Sequence, residues 1–87
     1  MNELKLNKAV SELYDELERA LKSYPPFNTQ HEGYAVIKEE LDELWEEIRK
    51  KPTVRSKKRM REEAIQVAAM GIRFALDICE EENETHP

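Results

Sequence analysis

The sequence predicts an all-α fold, a three-helix subunit forming a helical bundle completed by oligomerisation. Three observations carry that expectation. Apolar residues recur at spacings of three and four along three successive stretches, which is the helical period. Glu, Lys, Leu, Arg and Ala dominate, and two glycines and four prolines leave little room for a turn-rich β fold. The chain has 87 residues, enough for one small domain spanning residues 1–87 but not for a large core. A partner subunit is therefore an expected source of stability.

The first helix is expected over about residues 2–23. Leu6, Val10, Leu13, Leu17 and Leu21 form its apolar stripe, and Ala9, Tyr14 and Ala20 widen it. Tyr24-Pro25-Pro26-Phe27 then ends it, because paired prolines cannot continue a helix. Asn28 or Thr29 can cap a second helix over about 30–51. Tyr34, Ile37, Leu41, Leu44 and Ile48 make its stripe, with Trp45 beside it; core packing is the reading for Tyr34 and Trp45. Glu40, Glu43 and Glu47 run along one edge of that stripe, while Glu39 and Glu46 lie further round. Pro52 stops the helix. Ser56 is the expected cap of a third helix over about 56–81, whose apolar face holds Ile65, Ala68, Ala69, Ile72, Ala75, Leu76 and Cys79. A glycine inside a helix costs ~1 kcal/mol against alanine, so Gly71 points to close helix packing. Residues 82–87 form an acidic tail expected to fray.

Charge and composition narrow the function classes. A net charge of -5 argues against a nucleic-acid polymer as partner. The basic run from Arg49 to Arg61 flanks Pro52 and reads as a solvated connection; its functional alternative is a rim that attracts phosphate. The single cysteine, Cys79, excludes a disulfide within the chain and points to a reduced compartment. Its place on the apolar stripe makes it a core thiol. The N-terminus is charged and amphipathic, unlike a signal peptide, and no apolar run approaches the ~20 residues that span a bilayer. The expectation is a soluble, cytoplasmic protein with no membrane partner.

Two short stretches carry the chemistry. Glu40 and Glu43 are three apart and share a helix face; Glu63 and Gln66 repeat that spacing on the next helix. If the two helices pack side by side, three carboxylates and an amide converge. Converging carboxylates repel unless a cation sits between them, and a hard, oxygen-liking ion such as Mg²⁺ suits them best. The plainer alternative is that Glu40 and Glu43 are surface residues of an acidic helix. Gln66 interrupts the apolar run Ile65 to Met70, and a buried polar side chain needs partners. Arg73 either offers its guanidinium to a phosphate or pairs with Asp77 four residues on. His31, at a helix start, is either a surface or capping residue or lines the site of a base or phosphate.

These stretches resemble the MazG-like all-α nucleoside triphosphate pyrophosphohydrolases. The family's hallmark is Glu-Glu-x-x-Glu on one helix followed by Glu-x-x-Asp on the next. Here the motifs stand as Glu39-Glu40-Leu41-Asp42-Glu43 and Glu63-Ala64-Ile65-Gln66, and Thr29-Gln30-His31-Glu32 resembles the family's entry to the motif helix. The similarity spans about Phe27 to Cys79. It implies Glu40, Glu43 and Glu63, with Gln66, as ligands of Mg²⁺ or Mn²⁺. It also implies a nucleoside triphosphate as substrate and nucleoside monophosphate and pyrophosphate as products; self-association as a dimer or tetramer is expected from the helix count and the short chain. Glu43, with Glu39 as a supporting base, would orient or deprotonate the attacking water. Arg73 would bind phosphate and His31 would line the substrate. The departure is Gln66, where the family has Asp: one negative charge is missing, which leaves a slow enzyme, an altered metal preference or a module that has lost catalysis. A fourth helix that often completes the family's subunit is not expected here, so the pocket is either built across a subunit interface or incomplete. The alternative is therefore a catalytically impaired helical nucleotide-binding or protein-interaction module. Neither His31 nor His86 follows a glutamate by three, which argues against a di-iron bundle.

Overall fold

Asn2 starts the first helix. Its side-chain oxygen accepts the backbone N–H groups of Leu4 at 2.8 Å and Lys5 at 3.3 Å, two of the donors a helix start leaves free. In this computed structural model, which describes residues 2–80, α1 covers Glu3–Ser23. It ends where Tyr24 turns extended ahead of the two prolines. Thr29 caps α2, Gln30–Ile48, by accepting the Glu32 N–H at 3.0 Å. Glu32 in turn accepts the N–H of Asn28, a reciprocal arrangement close to a capping box. Ser56 caps α3, Lys57–Phe74, through the Arg59 N–H at 3.1 Å. A π-helical turn, Ala75–Cys79, continues it. The acidic tail expected over 82–87 lies outside the described residues.

Two boundaries differ from the sequence expectation. The second helix ends at Ile48 rather than near residue 51. Arg55 reaches back to donate from Nε to the Ile48 carbonyl and from its terminal nitrogen to the Lys50 carbonyl, both at 3.1 Å. Those bonds satisfy carbonyls that the helix end leaves open. Regular α-helix in the third segment ends at Phe74, because the last turn widens to the π form.

α3 is the middle helix. It packs against α2 on one side and α1 on the other, while α1 and α2 touch each other little. The α2–α3 contact is close at Gly33: a Cβ there would lie 2.5 Å from the Phe74 ring, so only glycine lets the helices approach this far. Ala20, Ala69 and Met70 are the buried apolar core, and Leu13, Leu17, Phe27, Val36 and Ile37 pack around it. Much of the expected core instead faces outward. Tyr34, Leu41, Trp45 and Ile48 of α2 are exposed, as are Ile72 and Leu76 of α3 and Leu6, Val10 and Leu21 of α1. Gly71, expected at a close contact, has nothing within 4 Å of where a Cβ would stand, and Cys79 is exposed. The physical reason is common to all of them. α3 alone packs against both other helices, so among the described residues each helix keeps a face with no neighbour, and these residues fall on such faces. No helix among the described residues is long and apolar enough to cross a membrane.

Candidate metal centre

α2 and α3 run in opposite directions, and their facing edges bring the two acidic motifs together. One carboxylate oxygen from each of Glu40, Glu43 and Glu63 lies within 4.8 Å of the others. Glu40 and Glu63 are half-buried and Glu43 is exposed. Glu63 Oε1 is buried with no hydrogen-bond partner. Burial first, then repulsion from Glu43, Glu63 and Glu39, pushes the Glu40 carboxyl up to about 7. Burial and the nearby Glu43 also raise Glu63. Both shifts have the same cause: negative charge is gathered where little water and no cationic side chain neutralises it.

A cleft of roughly 730 Å³ opens over this cluster. Glu40, Glu43, Glu63 and Gln66 form its floor, and α1 supplies Lys8, Glu12 and Glu16 as the far wall. Lys58 and Arg61 stand at its rim. Each is held by an acidic neighbour: Lys58 by Glu62 at 2.9 Å and Arg61 by Glu12 of α1 at 2.8 Å. The basic run therefore divides. Arg49 and Lys50 pair with Glu46 and Glu47 one turn back, and Arg55 closes the end of α2. Lys58 and Arg61 alone of these reach the cleft. A second cleft of roughly 380 Å³ adjoins the first and shares Glu16, Glu40 and Gln66 with it. Its wall includes Tyr24, Pro25, Pro26, Phe27, Val36 and Met70, so it is the more apolar of the two.

The donor set fits a hard divalent cation. All the donors are oxygens, and an ion with ligands at ~2.1 Å spans oxygens up to ~4.2 Å apart. Only an opposite pair can be that far apart, so the three carboxylates, now within 4.8 Å of one another, would have to close further to share one ion. The orphaned Glu63 oxygen and the raised Glu40 carboxyl mark negative charge that no salt bridge within the cluster offsets.

The remaining expected site residues are placed as follows. Gln66 stands one turn beyond Glu63, half-buried on the wall common to both clefts. Glu39 is exposed and borders only the second cleft, outside the carboxylate cluster. His31 is exposed in the first turn of α2 and lines neither cleft. Arg73 adopts the ion-pair alternative. It is 3% exposed. Its Nε donates to Asp77 at 2.9 Å, and its terminal nitrogens donate to the carbonyls of Ala20 at 2.7 Å and Tyr24 at 2.9 Å. Asp77 also accepts the Phe27 N–H at 3.0 Å. Arg73 thus ties the end of α1 and the following turn to α3, and its edge borders the second cleft. Sequence reasoning missed the contribution of α1. The signal was there: Lys8, Glu12 and Glu16 recur every four residues, a polar line along one face.

Compared with known proteins, the chain matches no family model, no curated protein and no solved structure.

Proposed function

We propose that this chain is a Mg²⁺-dependent nucleoside triphosphate pyrophosphohydrolase, cleaving a ribo- or deoxyribonucleoside triphosphate to the monophosphate and pyrophosphate. One observation carries the reading: three carboxylates from two helices converge within 4.8 Å under an open cleft, one oxygen buried and unpartnered. The paired acidic motifs and their resemblance to the MazG-like family add the reaction class. Glu40 and Glu63, the less exposed pair, hold the cation with Glu43, and the Gln66 amide oxygen is within one helical turn to join them. When bound, Mg²⁺ or Mn²⁺ neutralises phosphate charge and makes the α-phosphorus a better electrophile. Glu43, the exposed carboxylate, orients the attacking water and accepts its proton. The oxygen between the α and β phosphorus atoms leaves with the pyrophosphate. Lys58 and Arg61 at the rim face the outgoing charge. The adjoining apolar cleft, at roughly 380 Å³, has room for a nucleoside.

Gln66 favours a second reading, a helical nucleotide-binding or interaction module that has lost catalysis. A neutral amide in place of the family's Asp weakens attraction for the cation. The deciding experiment is pyrophosphate release from a panel of ribo- and deoxynucleoside triphosphates, first with Mg²⁺ and then with Mn²⁺, beside a Glu43→Gln control. Release that disappears in the control is the expected result. No release from any nucleotide by a folded protein that still binds the metal saturably would move the reading to the module.

A further inference from the structure

The two clefts meet along a junction to which each helix contributes one side chain: Glu16 from α1, Glu40 from α2 and Gln66 from α3. Glu40 belongs to the carboxylate cluster, and Gln66 stands one turn from Glu63. Glu16 lies outside that cluster. It is therefore the carboxylate of the junction that takes no part in holding a cation. Its neighbours on the polar line of α1 do not share the position, since Lys8 and Glu12 line only the first cleft.

Glu16 is also held in place. Its side chain is 16% exposed, and Arg19, three residues on, engages both of its oxygens. The Arg19 Nε donates to Oε1 at 3.3 Å, and a terminal nitrogen donates to Oε2. A guanidinium bound to both oxygens fixes the plane of a carboxylate, and Arg19 does so from the wall of the second cleft. A carboxylate has about four lone-pair positions over its two oxygens, so each oxygen keeps one to offer. An ion pair on an open helix face adds little to stability. The same pair between two clefts holds a double acceptor at a set place. It also offsets charge that would otherwise repel a phosphate in the first cleft.

We propose that Glu16 reads the sugar: its two oxygens accept the 2′- and 3′-hydroxyls of a ribose, so this chain takes ribonucleoside rather than deoxyribonucleoside triphosphates. The inference rests on the nucleotide reading, which puts the phosphates over the carboxylate cluster and the base in the apolar cleft. The sugar joins the two and has to cross the junction. A vicinal diol presents two donors side by side, and an ionised carboxylate, which only accepts, matches both at once. Carboxylates read ribose hydroxyls in the same way in dinucleotide sites. Gln66, with one carbonyl oxygen, can match only one of them.

The test compares matched ribo-, 2′-deoxy- and 3′-deoxynucleoside triphosphates, one base at a time, with Mg²⁺. The readout is kcat/KM for pyrophosphate release, or Kd by calorimetric titration should the chain bind without turnover. The ribonucleotide is expected to be favoured about tenfold or more over both deoxy forms, since each lacks a hydrogen bond to a charged acceptor. Glu16→Ala is expected to bring both ratios close to one. Arg19→Met keeps the carboxylate but releases it, and is expected to lower both ratios part of the way; it decides the matter if Glu16→Ala does not fold. Equal use of ribo- and deoxynucleotides by the wild type overturns the assignment and leaves the nucleotide reading standing. So does a preference that survives the substitution while all three nucleotides weaken together, because Glu16 would then only support the fold. A preference lost with the 2′-hydroxyl but not with the 3′-hydroxyl also overturns it. No release and no binding of any nucleotide ends the nucleotide reading itself, and the sugar assignment falls with it.

Discussion

α3 carries two clusters of charge a few turns apart, and they are built on opposite principles. At Arg73–Asp77, the guanidinium and carboxylate pair at 2.9 Å, and two main-chain carbonyls and one main-chain N–H complete the set. At Glu63, the neighbouring side chains are Glu40 and Glu43, and a buried oxygen has no partner. The same helix that neutralises one buried charge completely leaves the other surrounded by like charge. A buried charge without a partner is strongly unfavourable. The contrast teaches that the glutamate cluster is not explained by folding needs, whereas the arginine cluster is.

The largest effect should come from removing the balanced cluster. Arg73→Ala leaves Asp77 and two carbonyls without their donor and should destabilise by about 3–5 kcal/mol, the range for breaking a buried pair. Urea unfolding measures it; a change below about 1 kcal/mol would mean that the cluster contributes little to holding α1 on α3. Next comes Glu43→Gln in the unbalanced cluster. Its expected signature is the reverse: pyrophosphate release falls by roughly a hundredfold or more, while the folded state is retained. Unchanged turnover would remove Glu43 from the reaction.

A subtler change sharpens the contrast further. Gln66→Asp adds a fourth negative charge, so metal-free protein should lose stability while Mg²⁺ affinity rises by about tenfold. Calorimetric titration decides it, and weaker binding would recast Gln66 as a packing residue. The smallest effect is the pH dependence of the metal-free chain. Folded Glu40 keeps its proton up to about 7, against an ordinary carboxyl value of 4.5. Across that window the folded state binds more protons than the unfolded one, so stability falls as pH rises from 4.5 through about 7. Glu40→Gln should flatten the slope and raise the metal-free midpoint above pH 7 by a few °C. Mg²⁺ should flatten it in the wild type. A slope unchanged by both would place its origin elsewhere.

The helices and their starts were legible because local chemistry sets them. Thr29 and Ser56 are caps by the type and place of their side chains, and the proline pair after Tyr24 leaves the chain no helical choice. The acidic pairing was legible because three-residue spacing fixes which side chains share a face. What could not be read depends on which side of each helix meets a neighbour. Leu41 and Trp45 satisfy a core pattern by their spacing, and spacing alone does not tell a covered helix face from an exposed one. Arg73 had two chemically sound destinies, and only the position of the α1 carboxy-terminal carbonyls decides between them. The π-helical turn after Phe74 has no local marker in the sequence; it sets Asp77 where it reaches both Arg73 and the Phe27 N–H. The polar line Lys8, Glu12 and Glu16 was visible on α1, but not where it docks, since Glu12 and Arg61 are 49 residues apart.

The central position of α3 has a consequence for order of assembly. Contacts between α2 and α3 join neighbours in sequence across a short turn, so that hairpin closes a small loop and can form early. α1 must then arrive from a distance and is held chiefly by its contacts with α3. One wall of the cleft, with Lys8, Glu12 and Glu16, travels with it. In that order the carboxylates meet before their far wall arrives, so the last helix to dock is the one that completes the cleft.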